Sequence, residues 1–239
     1  MIKAENLIKR YGDKEVLKGI NLNLKKGEIV GFLGPNGAGK TTAFSIIIGL
    51  IKANEGRVFF EDIEITNYHM YQRAHLGMTF LPQEHSVFRE ISVENNILLV
   101  LERTVGKPEK RGFYLESLLN RFGLQKVRRQ KAKTLSGGEK RRLEIARALA
   151  TFPKYIFLDE PFTGVDPIAI SKIQNLILGF KEEGIGVIVS DHNIRETLKI
   201  TDRAYILVNG EILKEGTPDE IVSDPIIKEK YLGKEIRIN

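Results

Sequence analysis

Nine consecutive residues, Gly34, Pro35, Asn36, Gly37, Ala38, Gly39, Lys40, Thr41 and Thr42, constrain this chain more than any other feature. An apolar run at residues 29–33 leads into them and an apolar helical pattern begins near Lys40. That strand-loop-helix context makes a glycine-rich pattern informative as a phosphate cradle. Glycines let the backbone wrap closely round a polyphosphate with its amides pointing inward, and the helix N-terminus adds partial positive charge. Lys40 is then expected to hold β and γ phosphates, the Thr41 hydroxyl to bind Mg²⁺, and Thr42 to reach the α phosphate.

The rest of the chain has to supply a fold around that loop. Residues 2–9 and 16–24 carry alternating or β-branched apolar residues with turn signals between and after them, which predicts an antiparallel β region first. From residue 29 onward, short apolar runs at 29–33, 78–81, 155–158, 187–189 and 204–208 alternate with helical patterns, the signature of parallel strands covered on both faces. Residues 92–101 and 113–122 are helical without a strong strand candidate between 80 and 155, and predict an inserted α-helical lobe. Asp166-Pro167 and Asp224-Pro225 each place a capping acid before a proline at a first helical position. The fold class is therefore α/β with a mostly parallel core sheet.

Two further stretches carry chemistry. Residues 155–158 end in Asp159 and Glu160. Where a dry strand emerges, Asp159 can hold Mg²⁺ through water, Glu160 can polarise an attacking water, and Pro161 ends the ladder. Leu135, Ser136, Gly137, Gly138 and Glu139 open a second helix, with Ser136 and the two glycine amides arranged to receive phosphate oxygens. One phosphate loop cannot feed two such termini in one chain. Two copies facing head-to-tail resolve this, each placing its glycine pair on the γ phosphate held by the other in a closed twofold dimer.

Composition narrows the classes. The 239 residues are 42% hydrophobic and 28% charged, ordinary for a packed globular chain. The most apolar stretch, residues 43–51, is interrupted by Ser45 and Gly49 and falls short of the roughly 20 residues that span a bilayer. The N-terminus lacks the apolar core and cleavage site of a secretory signal, so a cytoplasmic location is expected. There are no cysteines, which excludes disulfides, thiolate metal sites and a cysteine nucleophile. The net charge of +6 is densest at Lys126, Arg128, Arg129, Lys131, Lys133, Lys140, Arg141 and Arg142, and leaves open a solvated face or contact with nucleotide, lipid headgroups or a partner.

Taken together these motifs resemble the nucleotide-binding domains of ABC transporters, over nearly the whole chain. The resemblance implies an ABC-type P-loop NTPase that hydrolyses ATP with Mg²⁺. It also implies a homodimer held to two integral membrane subunits on the cytoplasmic face of the inner membrane, with no direct nucleic-acid partner. It assigns Gln83 as a switch residue touching Mg²⁺ and water, His192 as the contact to the γ phosphate, Tyr11 as the aromatic on adenine, and Gly164, Val165 and Asp166 as a dimer-interface loop. The surface around Phe88 and Arg89 would meet the membrane subunits. Within the family the stretches 81–84, 160–168, 191–198 and 231–233 are most similar to the ATPase of lipopolysaccharide export. Glu90 and the tail at 235–238 depart from that pattern.

The expected organisation is one domain over 1–239: a core from about 1–84 and 153–224 that includes the antiparallel region, a helical lobe at 85–152 with the Ser136 motif, and a C-terminal extension at 225–239. Two rivals are an ATPase of branched-chain amino-acid import, with the same layout, and a cytosolic ABC ATPase acting on nucleic acid or ribosomes, suggested by the basic run. The second usually carries two motif sets, a long coiled coil or a zinc module, and the sequence has none of these.

Overall fold

The computed structural model describes residues 1–84 and 86–227. The chain opens with β1 (Ile2–Tyr11) and β2 (Lys14–Leu24), then β3 (Ile29–Leu33) and α1 (Lys40–Ile47). β4 (Glu55–Phe60), β5 (Ile63–Glu64), α2 (Met70–His75) and β6 (Met78–Leu81) follow. Next come α3 (Val93–Thr104), α4 (Pro108–Arg121), α5 (Gly137–Leu149), β7 (Tyr155–Asp159), α6 (Pro167–Glu182) and β8 (Gly186–Asp191). The described part ends with α7 (Ile194–Leu198), β9 (Arg203–Val208), β10 (Glu211–Gly216), α8 (Pro218–Ser223) and α9 (Pro225–Ile227). The subtype stretch at 231–233, the tail at 235–238 and most of the C-terminal extension lie outside the described residues.

Two sheets form. An antiparallel one has the order β2-β1-β4-β5, and a six-stranded one has the order β10-β9-β3-β8-β7-β6, parallel except where β10 meets β9. β3, β7 and β8 are buried at every residue, which is why they read as unbroken apolar runs. The register pairs Leu33 with Asp191 and Asp159 with Ser190, so three parallel strands end level. Ligands of open parallel sheets collect in the crevice beyond such carboxyl ends.

Packing fixes the loop that leaves β3. Phe44 on α1 stacks on Phe32 at 5.7 Å and meets Phe157 edge-on at 5.5 Å, pinning the helix between β3 and β7. The buried Arg73 of α2 donates to the carbonyls of Ile46, Ile47, Tyr68 and Thr66, and so caps the C-terminal end of α1. Burial lowers its guanidinium to about 10.

Gly34 has no room for a side chain, because a Cβ there would lie 2.1 Å from the Leu207 carbonyl oxygen. Gly34→Ala is expected to cost about 1–3 kcal/mol, a drop of about 2–4 °C per kcal/mol for a chain of this size in thermal unfolding.

The helices between β6 and β7 do not form a core of their own. Leu101, Leu115, Leu119 and Leu143 belong to the same buried cluster as Ile156, Leu158, Val187 and Val189 of the sheet. Among the described residues no helix is long and apolar enough to cross a membrane.

Candidate functional site

An open cleft of about 840 Å³ lies at the carboxyl ends of β3, β7 and β8, walled by Asn36, Gly37, Gly39, Lys40, Thr41 and Thr42 on one side and by Gln83, Glu160, Thr163 and His192 on the other. Gly39 takes a φ of 109° just before α1, and a Cβ there would lie 2.7 Å from Leu17 Cδ2. Lys40 is 5% exposed, and its ammonium donates to the carbonyls of Gly34 at 2.7 Å and Pro35 at 3.0 Å, which holds it inside the curl of the loop. Burial lowers its pKa, opposed by Glu160, Asp159 and Asp191. Pro35 and Ala38 shape the curl, with the Ala38 amide donating to the Pro35 carbonyl at 3.2 Å.

Opposite, Thr41 Oγ1 donates to Asp159 Oδ2 at 3.1 Å, while the buried Asp159 Oδ1 has no hydrogen-bond partner among the described residues. Burial raises the Asp159 pKa. A hydroxyl beside a half-satisfied buried carboxylate is a hard-oxygen donor set that fits Mg²⁺. A carboxyl whose folded pKa lies above its unfolded value destabilises the fold at neutral pH, and the penalty fades as pH falls through the raised value towards the ordinary 3.8. Asp159→Asn without nucleotide is therefore expected to melt above the wild type at neutral pH, by about 2–4 °C for each kcal/mol of relief. The gap should narrow on acidification; melting curves taken at neutral and mildly acidic pH check this.

Glu160 sits at the strand exit with φ 47°, its amide donating to the Ser190 carbonyl at 2.7 Å. Its Oε2 accepts from Gln83 Nε2 at 2.9 Å and Thr163 Oγ1 at 3.0 Å, and His192 Nδ1 lies 3.5 Å away. Thus Gln83, Glu160 and His192, spread over 110 residues of sequence, converge on one carboxylate oxygen. Thr163 and Asp191 were not singled out from the sequence. The buried Asp191 accepts from the amides of Phe162 and Asn193, tying the segment after Glu160 to the one carrying His192. Burial pushes its carboxyl up as well. An acid directly before His192 at a strand end was the available signal.

The second helix N-terminus stands elsewhere. Ser136 caps α5, accepting from the Glu139 amide while its own amide and hydroxyl donate to Glu139 Oε2, each at 2.9 Å. The helix so begins at Gly137, inside the motif. Leu135 is buried, Ser136 and Gly137 are exposed, and Gly138 approaches Ala169 of α6. Among the described residues none of the five from Leu135 to Glu139 lines the cleft. Gly164 and Val165 lie in the turn before α6, and Asp166 caps that helix by accepting from the Ala169 amide at 3.0 Å.

Tyr11, Phe88 and Arg89 also fall outside the cleft wall. Tyr11 ends β1, is 52% exposed, and has the Lys9 ammonium 5.1 Å from its ring centre. Phe88 is exposed under the Arg147 guanidinium at 4.7 Å, and Arg89 is exposed beside it. Four of the eight residues of the basic run form ion pairs among the described residues. Arg128 pairs with Glu94 and Glu116, Lys131 and Lys133 pair with Glu90, and Arg141 is buried against Glu144. That pairing gives the unusual Glu90 its partners.

Comparison with known proteins follows the same lines. The family profile described as "ABC transporter" matches residues 17–163. A probable ABC transporter ATP-binding protein of Azorhizobium caulinodans is 49% identical over 237 residues, covering 99% of this chain and 84% of its own. The lipopolysaccharide export system ATP-binding protein LptB of Acidithiobacillus ferridurans is 47% identical over 238 residues, covering 100% of this chain and 99% of its own. Among solved structures, the ADP conformation of an ATP-binding cassette of an ABC transporter superposes with a TM-score of 0.86 at 33% identity, covering 98% of this chain and 99% of that one. The profile match over residues 17–163, with relatives 47% and 49% identical over nearly the whole chain, places the chain in the ABC transporter family, as an ATP-binding subunit whose ATP hydrolysis is coupled to transport.

Proposed function

We propose that the chain powers lipopolysaccharide export from the inner membrane as a homodimer that closes on two ATP molecules and opens after hydrolysis. The observation that carries the dimer is the absence of Ser136, Gly137 and Gly138 from the cleft that holds Lys40 and Glu160. A twofold partner supplies them, its glycine amides and Ser136 meeting the γ phosphate across the interface, with Gly164, Val165 and Asp166 at the seam. The helical segment 85–152 acts as the lobe that carries this motif, against a core of about 1–84 and 153–224.

Within each cleft the amides of the loop from Gly34 to Thr42 wrap the phosphates, and Lys40 swings from the Gly34 and Pro35 carbonyls onto β and γ oxygens. Glu160 orients the attacking water, held by Gln83 and Thr163, and His192 contacts the γ phosphate. Thr41, Asp159 and Gln83 would hold Mg²⁺, which when bound offsets phosphate charge. Tyr11 packs on the adenine with its exposed ring face. Phe88 and Arg89 form the surface that meets two integral membrane subunits, which bring the chain to the cytoplasmic face.

The export assignment draws on the full-length likeness to LptB proteins at 43–47% identity. The internal pairing of half of the basic run weakens the case for a nucleic-acid partner. Purification from the native host in mild detergent should recover two integral membrane proteins and bound lipopolysaccharide. Recovery of amino-acid permease subunits instead would overturn the cargo and leave the ATPase.

A further inference from the structure

A buried charge that the hydrolytic site does not use sits behind it. Arg141, on the second turn of α5, is 3% exposed. Its Nη1 donates to the Pro82 carbonyl at 3.1 Å and to Glu144 Oε2 at 3.1 Å, and its Nη2 donates to the Asp159 carbonyl at 3.2 Å. Pro82 immediately precedes Gln83 and Asp159 immediately precedes Glu160, the pair whose side chains meet at 2.9 Å. We propose that Arg141 is a positioning residue for hydrolysis: by spanning these two carbonyls its guanidinium sets the separation of Gln83 from Glu160.

The proposal rests on the roles given to Gln83 and Glu160 above, and three features support it. A buried ion pair is a weak source of stability, since apolar residues of like volume often serve as well or better. This one also leaves Arg141 Nε buried with no hydrogen-bond partner among the described residues. What an apolar replacement cannot supply is a rigid planar fork with donors aimed at two separate backbones. Lastly, α5 grips the loop from its far side too, because Glu144 Oε1 accepts from the Ser86 amide at 2.7 Å and Arg147 donates to the Ser86 carbonyl. The helix capped by Ser136 thereby holds both flanks of Gln83 and Glu84, which stay exposed between the grips.

The test separates geometry from stability. In the double variant Arg141→Met with Glu144→Gln, methionine fills the volume without donors, and glutamine keeps an acceptor for Ser86 without stranding a charge. It is expected to melt close to the wild type and bind ADP with unchanged affinity, with kcat lowered on the order of 10²-fold and KM unmoved. Arg141→Lys keeps a cation beside Glu144, but one ammonium cannot span both carbonyls, so kcat should fall there too. Wild-type turnover in either folded variant overturns the proposal, as does kcat that merely tracks melting temperature across the set. Should the double variant fail to fold, Arg141→Lys carries the test. Glu160→Gln assayed alongside keeps the two ideas apart. Full turnover in that variant removes the Glu160 assignment itself, whereas its loss beside fully active Arg141 variants overturns Arg141 alone.

Discussion

Glu160→Gln is expected to lose about 10²–10⁴-fold in ATP turnover while still binding ATP and pairing with a second copy. The substitution keeps the volume and one carbonyl acceptor, so the bonds from Gln83 and Thr163 have somewhere to go. It removes the negative charge that orients and polarises the attacking water. The hydrogen bonds of the phosphate loop stay as they are, because Lys40 and Thr41 take their partners from Gly34, Pro35 and Asp159. Closure therefore outlives chemistry, and the variant should accumulate as an ATP-loaded dimer. Phosphate release measures the first half and gel filtration with saturating ATP and Mg²⁺ the second. A variant that stays monomeric under those conditions counts against the sandwich, and one that turns over like the wild type counts against Glu160. The backbone there is also informative: a φ of 47° at a non-glycine residue costs on the order of 1–3 kcal/mol. The strain aims the carboxylate into the cleft instead of along the strand.

How much of this was legible beforehand follows from which contacts are local. β3 and β6 match their apolar runs residue for residue, β7 extends its run by one residue and β8 by three, because strands covered on both faces leave continuous runs. β4 and β10 went unread. The first is only half buried and holds Gly56 and Arg57, and the second alternates half-buried and exposed positions at the sheet edge. α2 was missed because its inward residue is Arg73, whose reason for burial is the set of α1 carbonyls it caps. Likewise the basic run looks like an unbroken surface field in sequence, yet part of it is paired by Glu90, Glu94 and Glu116, which only folding brings alongside. The phosphate loop, the Asp159-Glu160 pair and the Ser136 motif were visible because each packs its chemistry into a few adjacent residues. The Arg141 bridge was not, since its two carbonyls lie 59 and 18 residues away and backbone acceptors leave no mark in sequence.

Mixing two inactive variants should restore turnover, and this is the sharpest consequence of the head-to-tail arrangement. Lys40→Ala removes the cation that holds the β and γ phosphates and should be silent alone. Gly137→Asp should be silent for another reason. The new Cβ meets nothing closer than the Gly164 carbonyl at 3.7 Å, so the fold accepts it. An acid in the first turn of α5 even complements the helix dipole, so stability should hold or rise slightly. Its carboxylate, however, faces the γ phosphate of the opposite copy and repels it. In an equimolar mixture half of the dimers contain one of each chain. In these, one site joins the mutated loop to the mutated helix, and the other joins an intact loop to an intact helix. If the two sites work independently, the mixture recovers about a quarter of wild-type turnover per chain. Were each chain to engage its ATP with its own Ser136 and Gly137, every site in the mixture would still carry one lesion and no activity could return. Phosphate release from the mixture, read beside a pull-down showing that the two variants do pair in ATP, decides between the arrangements.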